Sequence, residues 1–194
     1  MERQAVAAGA RLERRDGWNV AVGFDTPEAE LERCRSAVGF ADLSHLGKVE
    51  VHGPRQPDLD RSWWCAYTPE RALVLCEPED LPALRGRLGD SAVDVTTAFG
   101  ALAIVGPLAR ELFARFCALD LRDAVTPVHA FRPGSVARTP GAVLRQAEDR
   151  WLMLFGAALG QYMWTVVADA AESLGGGPVG VDALTRVEQE PSRA

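Results

Sequence analysis

One phrase occurs twice in this chain and constrains its fold more than any other feature. The first copy runs Asp42-Leu-Ser-His-Leu-Gly-Lys-Val-Glu-Val-His-Gly-Pro54, the second Asp94-Val-Thr-Thr-Ala-Phe-Gly-Ala-Leu-Ala-Ile-Val-Gly-Pro107. Each reads acid, apolar residue, hydroxyl, a spacer with glycine, an alternating strand, then Gly-Pro. The second spacer is one residue longer. A recurring unit of this kind predicts two related β-units that share one core.

The remaining pattern is mixed. Thr26-Pro27-Glu28 predicts a capped helix start, running to about Val38 and stopping at Gly39. Strands are expected over 48–52, 70–76 and 101–105, with short extended pieces at 63–65 and 93–96. Helices are expected over 79–88, 108–119 and 159–174, the last stopped by Gly175-Gly-Gly177. Ser135 to Thr139 and Ala142 to Gln146 read as strands joined by a turn at Pro140-Gly141. Trp151 to Phe155 follows a turn at Asp149-Arg150. Hairpins alternating with strand-to-helix units predict an α+β class. Leu102, Ile104, Leu112 and Phe116 are the expected core. Residues 1–24 read as an N-terminal arm, 25–187 as the domain, and 188–194 as a frayed tail.

Composition limits the function classes. The formal net charge is −6 over 194 residues, which argues against a nucleic-acid or anionic-membrane surface. Four cysteines at 34, 65, 76 and 117 have no ligand spacing, and the three histidines add none, so no metal site is expected. Met1-Glu-Arg-Gln4 lacks an apolar signal core, and no apolar run reaches spanning length, so a cytoplasmic protein is expected.

Two residue groups could carry function. Ser44, His45 and Lys48, beside Asp42, could form a polar cluster at a pocket mouth, or serve turn chemistry with His45 and Lys48 in water. Arg138 could clamp an anion or simply face solvent. Adjacent strand residues point to opposite faces, so one of Trp63 and Trp64 could enter the core while the other meets a partner. Trp18 and Trp164 are further contact candidates. Trp164 lies two residues from Tyr162 on a helix, so one of that pair is expected outside.

The tract Gly39-Phe-Ala-Asp-Leu-Ser-His-Leu-Gly-Lys-Val-Glu-Val-His-Gly-Pro54 resembles the opening signature of the aminomethyltransferase family, the glycine-cleavage T-protein and its folate-binding relatives. The phrase from Asp94 to Pro107 resembles that family's next block, and Val136-Ala-Arg-Thr139 its later Arg-Thr block. Gly160-Gln-Tyr-Met-Trp164 and Ala168-Asp-Ala-Ala171 resemble the short gamma-subunit branch of heterotetrameric sarcosine oxidase. The resemblance spans about residues 11 to 184. It implies a compact T-protein-like fold of two interleaved mixed-sheet subdomains around a cofactor-sized opening.

For function, the resemblance implies an accessory, noncatalytic subunit that assembles with larger flavoprotein subunits carrying flavin and NAD. No cofactor is then expected on this chain alone. The alternative it implies is a standalone tetrahydrofolate-dependent transferase or folate-binding regulator, with Asp42, His45, Lys48 and Arg138 lining the site. The chain departs from the full enzymes in two places. The segment that holds their catalytic aspartate is reduced to Arg55-Gln-Pro-Asp-Leu-Asp60, so neither Asp58 nor Asp60 takes that role. Thr139 continues into Pro140-Gly-Ala-Val143, not into the family's Gly-Tyr-Thr-Gly-Glu phrase.

Overall fold

A computed structural model describes residues 1–53 and 62–189. The turn expected over 55–61, with Asp58 and Asp60, and residues 190–194 of the expected tail lie outside the described residues. The chain opens with α1 (Glu2–Ala7) and a hairpin of β1 (Arg11–Arg15) and β2 (Trp18–Gly23). Next come α2 (Pro27–Ser36), β3 (Gly39–Asp42), β4 (Gly47–His52), β5 (Ser62–Thr68), β6 (Arg71–Cys76), α3 (Leu81–Leu88) and β7 (Ala92–Asp94). The second half holds β8 (Phe99–Val105), α4 (Ala109–Ala114), β9 (Phe131–Val136), β10 (Thr139–Ala147) and β11 (Arg150–Gly156). It closes with α5 (Gly160–Glu172), β12 (Gly177–Pro178) and α6 (Val181–Gln189). Among the described residues, no helix is long and apolar enough to cross a membrane.

A six-stranded sheet has the order β12-β3-β8-β11-β10-β9, and a four-stranded sheet the order β5-β6-β4-β7. The larger sheet is mixed because β12 runs parallel to β3; the smaller is wholly antiparallel. Strand alternation divides the larger sheet into two faces. On one, Leu102, Ile104, Trp151, Met153 and Phe155 pack with Met163, Trp164 and Val167 of α5. On the other, Ala101, Ala103, Ala142 and Leu152 meet Leu73, Leu75 and Cys65 of the smaller sheet. Small alanines on that face leave room for a second sheet to approach. Val49, Val51 and Val74 cover the far side of the small sheet with Leu84 of α3. The fold is therefore α+β, with α5 and α3 on the outer faces of two packed sheets and α2 and α6 joining the core between them.

The repeated phrase explains how the sheets interlock. Asp42 Oδ1 accepts from Ser44 N at 2.9 Å, and Asp94 Oδ1 accepts from Thr96 N at 3.0 Å. Each acid thus closes the same side-chain turn at the end of its strand. The hydroxyls then reach across. Ser44 Oγ accepts from Ala101 N at 3.1 Å in the second copy, and Thr96 Oγ1 accepts from Lys48 N at 3.0 Å in the first. The backbone repeats this exchange: Leu43 N donates to Ala101 O, and Val95 N to Lys48 O, both at 2.9 Å. Accordingly β3 pairs with β8 and β7 pairs with β4. The strand entering each turn pairs with the strand leaving the other.

Thr96 is buried, so its hydroxyl has no water to replace it. Thr96→Ala leaves the Lys48 amide without its side-chain acceptor and is expected to cost about 1–3 kcal/mol. Ser44→Ala is expected to cost less, because Ser44 is only half-buried. Urea unfolding of the two variants checks the order; equal, negligible losses would show that the hydroxyls do not hold the units together.

Three expectations need correction. The helix expected over 108–119 ends at Ala114. Phe116 O accepts from Ala137 N, and Cys117 bridges to Val136, so β9 draws the chain out of the helix. Phe116 is consequently half-buried, whereas Leu102, Ile104 and Leu112 are fully enclosed. The turn expected at Pro140-Gly141 lies instead at Ala137-Arg138, where φ is +48° and +62°. Gly141 sits inside β10, where an added Cβ would fall 2.8 Å from Leu154 O. Its glycine serves a close approach, not a turn. Arg138 is therefore an exposed hairpin-tip residue, not a strand residue.

Candidate functional site

Two cavities meet at His45. The larger, of about 470 Å³, lies among the small sheet, the β1–β2 turn and α6; Leu46, Trp63, Arg150 and Leu184 help line it. The smaller, of about 260 Å³, is lined by Trp18, Asp42, Ser44 and Thr97 among others. His45 belongs to both linings. Burial holds its imidazole below the usual titration range, against an opposing pull from Asp42, so the ring is neutral at pH 7.

Lys48 explains why His45 is placed there. Its Nζ donates to Ser44 O at 2.9 Å and to Leu46 O at 2.7 Å, bracketing His45 on both sides. The ammonium is enclosed, with 0% of the residue exposed, and burial pushes its pKa down to about 8. Lys48 thus does not meet water and lines neither cavity. Its role is to fix the turn that presents His45. Of the four polar candidates, Asp42 and His45 come together at the smaller cavity, Lys48 lies beneath them, and Arg138 lines neither cavity.

The tryptophans divide similarly. Trp63 lines the larger cavity and stands 5.4 Å from the ring of His129. Trp64 points to the other face of β5, against the core under α3. Trp18 is half-buried beside the smaller cavity. Trp164 is only 5% exposed and packs edge-on to Phe40 at 5.1 Å, so it cannot meet a partner in this structure. The outward residue of that pair is Tyr162, 45% exposed. Among the described residues, no group of three or more metal-ligating side chains converges.

The sequence pattern marks Arg150 only as a turn residue and Glu188 only as tail. They form an ion pair across the larger cavity, Nη2 to Oε1 at 2.5 Å. A signal for α6 is present in the sequence: Val181, Leu184, Thr185 and Glu188 follow the i, i+3, i+4, i+7 spacing of one helix face.

Comparison with known proteins bears on this geometry. No family model matches the chain. A probable aminomethyltransferase of Halobacterium salinarum is 46% identical over 46 residues, 24% of this chain and 13% of that protein. An aminomethyltransferase of Desulforamulus reducens is 39% identical over 49 residues, 25% of this chain and 14% of its own length. The matches thus span a small part of these curated relatives. The glycine cleavage system aminomethyltransferase T of Bartonella henselae superposes over 93% of this chain and 58% of its own, with a TM-score of 0.72 at 14% identity. The chain has the T-protein fold. A chain of the heterotetrameric sarcosine oxidase from Corynebacterium sp. U-96, whose structure holds pyrrole 2-carboxylate, shares that fold. It aligns over 87% of this chain and 99% of its own, with a TM-score of 0.64 at 18% identity. This T-protein-fold chain is therefore close in length to that subunit and much shorter than the transferase.

Proposed function

We propose that this chain is a noncatalytic accessory subunit of a heterotetrameric amine oxidase of the sarcosine oxidase type. One observation carries the reading: the fold match is nearly end-to-end with a subunit of such an oxidase, but covers little more than half of a transferase. In this reading the larger partner subunits hold flavin and NAD, the assembly is cytoplasmic, and this chain supplies contact surface. Trp18 and Trp63 are the proposed contact residues; Trp64, turned to the other face of β5 against the core under α3, is not among them. Neither Lys48 nor Arg138 lines either cavity, which argues against a complete polar lining for chemistry of its own.

The test is purification of the tagged protein from its native cells, with mass spectrometry and an absorbance spectrum. Stoichiometric flavin-containing partners are the expected result, and oxidation of N-methyl amines by the complex should follow. A lone, colourless chain would defeat this reading.

A second reading is favoured by the larger cavity, whose size, aromatic wall and neutral His45 suit a pterin-like ring. In it the chain binds tetrahydrofolate alone, as a transferase or a regulator. Titration of the isolated protein with tetrahydrofolate separates the two, since the accessory reading expects no saturable binding.

A further inference from the structure

The larger cavity has an apolar wall and an acidic rim. Leu43, Leu46, Leu75 and Leu184 are buried and form the wall, with half-buried Trp63 beside them. The carboxylates of the lining come from three separate segments. Asp16 lies on the β1–β2 turn, Glu77 and Glu79 on the connection from β6 to α3, and Glu188 near the end of α6; all four residues are exposed. Two guanidiniums share the lining, and both are already paired. Arg150 Nη2 meets Glu188, and Arg15 Nη2 lies 2.9 Å from both Glu13 and Asp182. Four carboxylates thus stand against two arginines in the lining, with two more carboxylates behind Arg15. His45 is neutral and does not offset them.

A rim of one sign over a low-dielectric wall focuses its field on the cavity. The complementary group is a cation on an apolar stem. Lysine and arginine side chains have this form, with methylenes that lie along apolar surface and a charged head that reaches carboxylates. A guanidinium also stacks on an indole face such as that of Trp63. An inorganic cation would leave the apolar wall bare, and an anion would meet the rim with like charge. The cavity is continuous with the proposed contact surface: Trp63 lines it, and Trp18 lines the cavity that meets it at His45.

We propose that the larger cavity is the socket for a basic side chain, arginine or lysine, of the larger partner subunit. The socket rests on the assembly reading above and adds the chemistry of the partner's contact segment.

Purification of the tagged chain from its native cells tests it, with the flavin-containing partner quantified by absorbance and mass spectrometry after washes at about 50 and 300 mM salt. Wild type should lose partner at the higher salt, because exposed charges are screened. Asp16→Asn with Glu77→Gln should retain about tenfold less partner at the lower salt. Asparagine suits position 16, where φ is +49°. Asp169→Asn with Glu172→Gln removes the same charge from exposed positions on α5, against the other face of the larger sheet, and should behave as wild type. A wild type that recovers no flavin partner defeats the assembly reading and the socket with it. A wild type that assembles, with equal partner on the rim and α5 variants, overturns the socket alone. Assembly indifferent to salt does the same and requires no variant to fold. Titration of the isolated chain with benzylamine covers the other occupant. Saturable binding that is lost in the rim variant, with assembly unchanged, would overturn the socket in favour of a free organic cation.

Discussion

Replacing Arg145 with methionine should destabilise the protein by about 1–3 kcal/mol, the cost of leaving a buried carbonyl such as Thr126 O without its donor. The Arg145 side chain is 6% exposed although it lies on a β-strand. Its Nη1 donates to Asp123 Oδ1 at 2.6 Å and to Thr126 O at 2.9 Å, and Nη2 donates to Glu148 O at 3.2 Å. The guanidinium also lies 4.9 Å from the ring centre of Trp151. The Arg145 backbone joins the same network, donating to Ala130 O and accepting from His129 N. Residues 115–130 contain no helix or strand, so these bonds replace the ladder that regular structure would provide. Methionine fills much of the volume but leaves Thr126 O and Glu148 O without this donor.

The loss should also appear first in that loop. Amide exchange over 120–130 is expected to rise before exchange in β8 or β11. A variant that unfolds at wild-type urea concentration, or that loosens all strands equally, would show that Arg145 does not organise the loop. Asp123 gives a pH signature for the same contact. Its carboxyl is held below the usual range, first by the Arg145 bond and then by Arg110. A depressed carboxyl contributes stability above its unfolded pKa and loses it as pH falls through the folded value. Acid should therefore loosen the 120–130 loop in wild type and have less effect in the variant.

The limits of sequence reading are visible in particular residues. The repeat foretold two related β-units, because Asp, hydroxyl and glycine at fixed spacing dictate a local turn. It did not show the exchange of partners, since Ser44–Ala101 and Thr96–Lys48 contacts join positions far apart in the chain. Local signals also misled where one residue type serves two purposes. Gly141 looked like a turn and serves close packing; Lys48 looked solvated and is enclosed. His45 and Trp63 were legible as candidates because a polar turn and paired tryptophans are unusual locally. Arg150 and Glu188 acquire meaning only when α6 packs against β2 and α2 and brings Glu188 to Arg150, a long-range event with no local signature beyond the helix period itself.

Lys48→Met should shift the pH dependence of stability in a direction opposite to ordinary lysine pairing. The Lys48 ammonium is buried with two carbonyls and no ion pair within contact distance among the described residues, and burial lowers its pKa from 10.5 to about 8. Between those values the unfolded chain binds a proton that the folded chain does not. The buried charge therefore opposes folding below pH 8, and the penalty fades as pH rises toward 10.5. The full span corresponds to about 3 kcal/mol, of which roughly 2–3 kcal/mol should be recovered between pH 7 and pH 10.

Methionine removes this term while keeping most of the side-chain volume. It also leaves Ser44 O and Leu46 O without their Nζ donor, so at pH 7 the two effects oppose each other and the variant should lie near wild type. At pH 10 the lost hydrogen bonds remain and the charge penalty is nearly gone from wild type. Lys48→Met should then be less stable by about 2–3 kcal/mol more than at pH 7. Cys34, Cys65 and Cys76 have pKa values raised by burial to about 11, 12 and 11, so both proteins lose stability as pH rises above the ordinary thiol value of 9.0. That loss is common to both chains and largely cancels in the difference. Chemical denaturation of the pair at about pH 7, 8.5 and 10 makes the comparison. Parallel curves would mean that Lys48 reaches water and does not stand as the enclosed pin beneath His45.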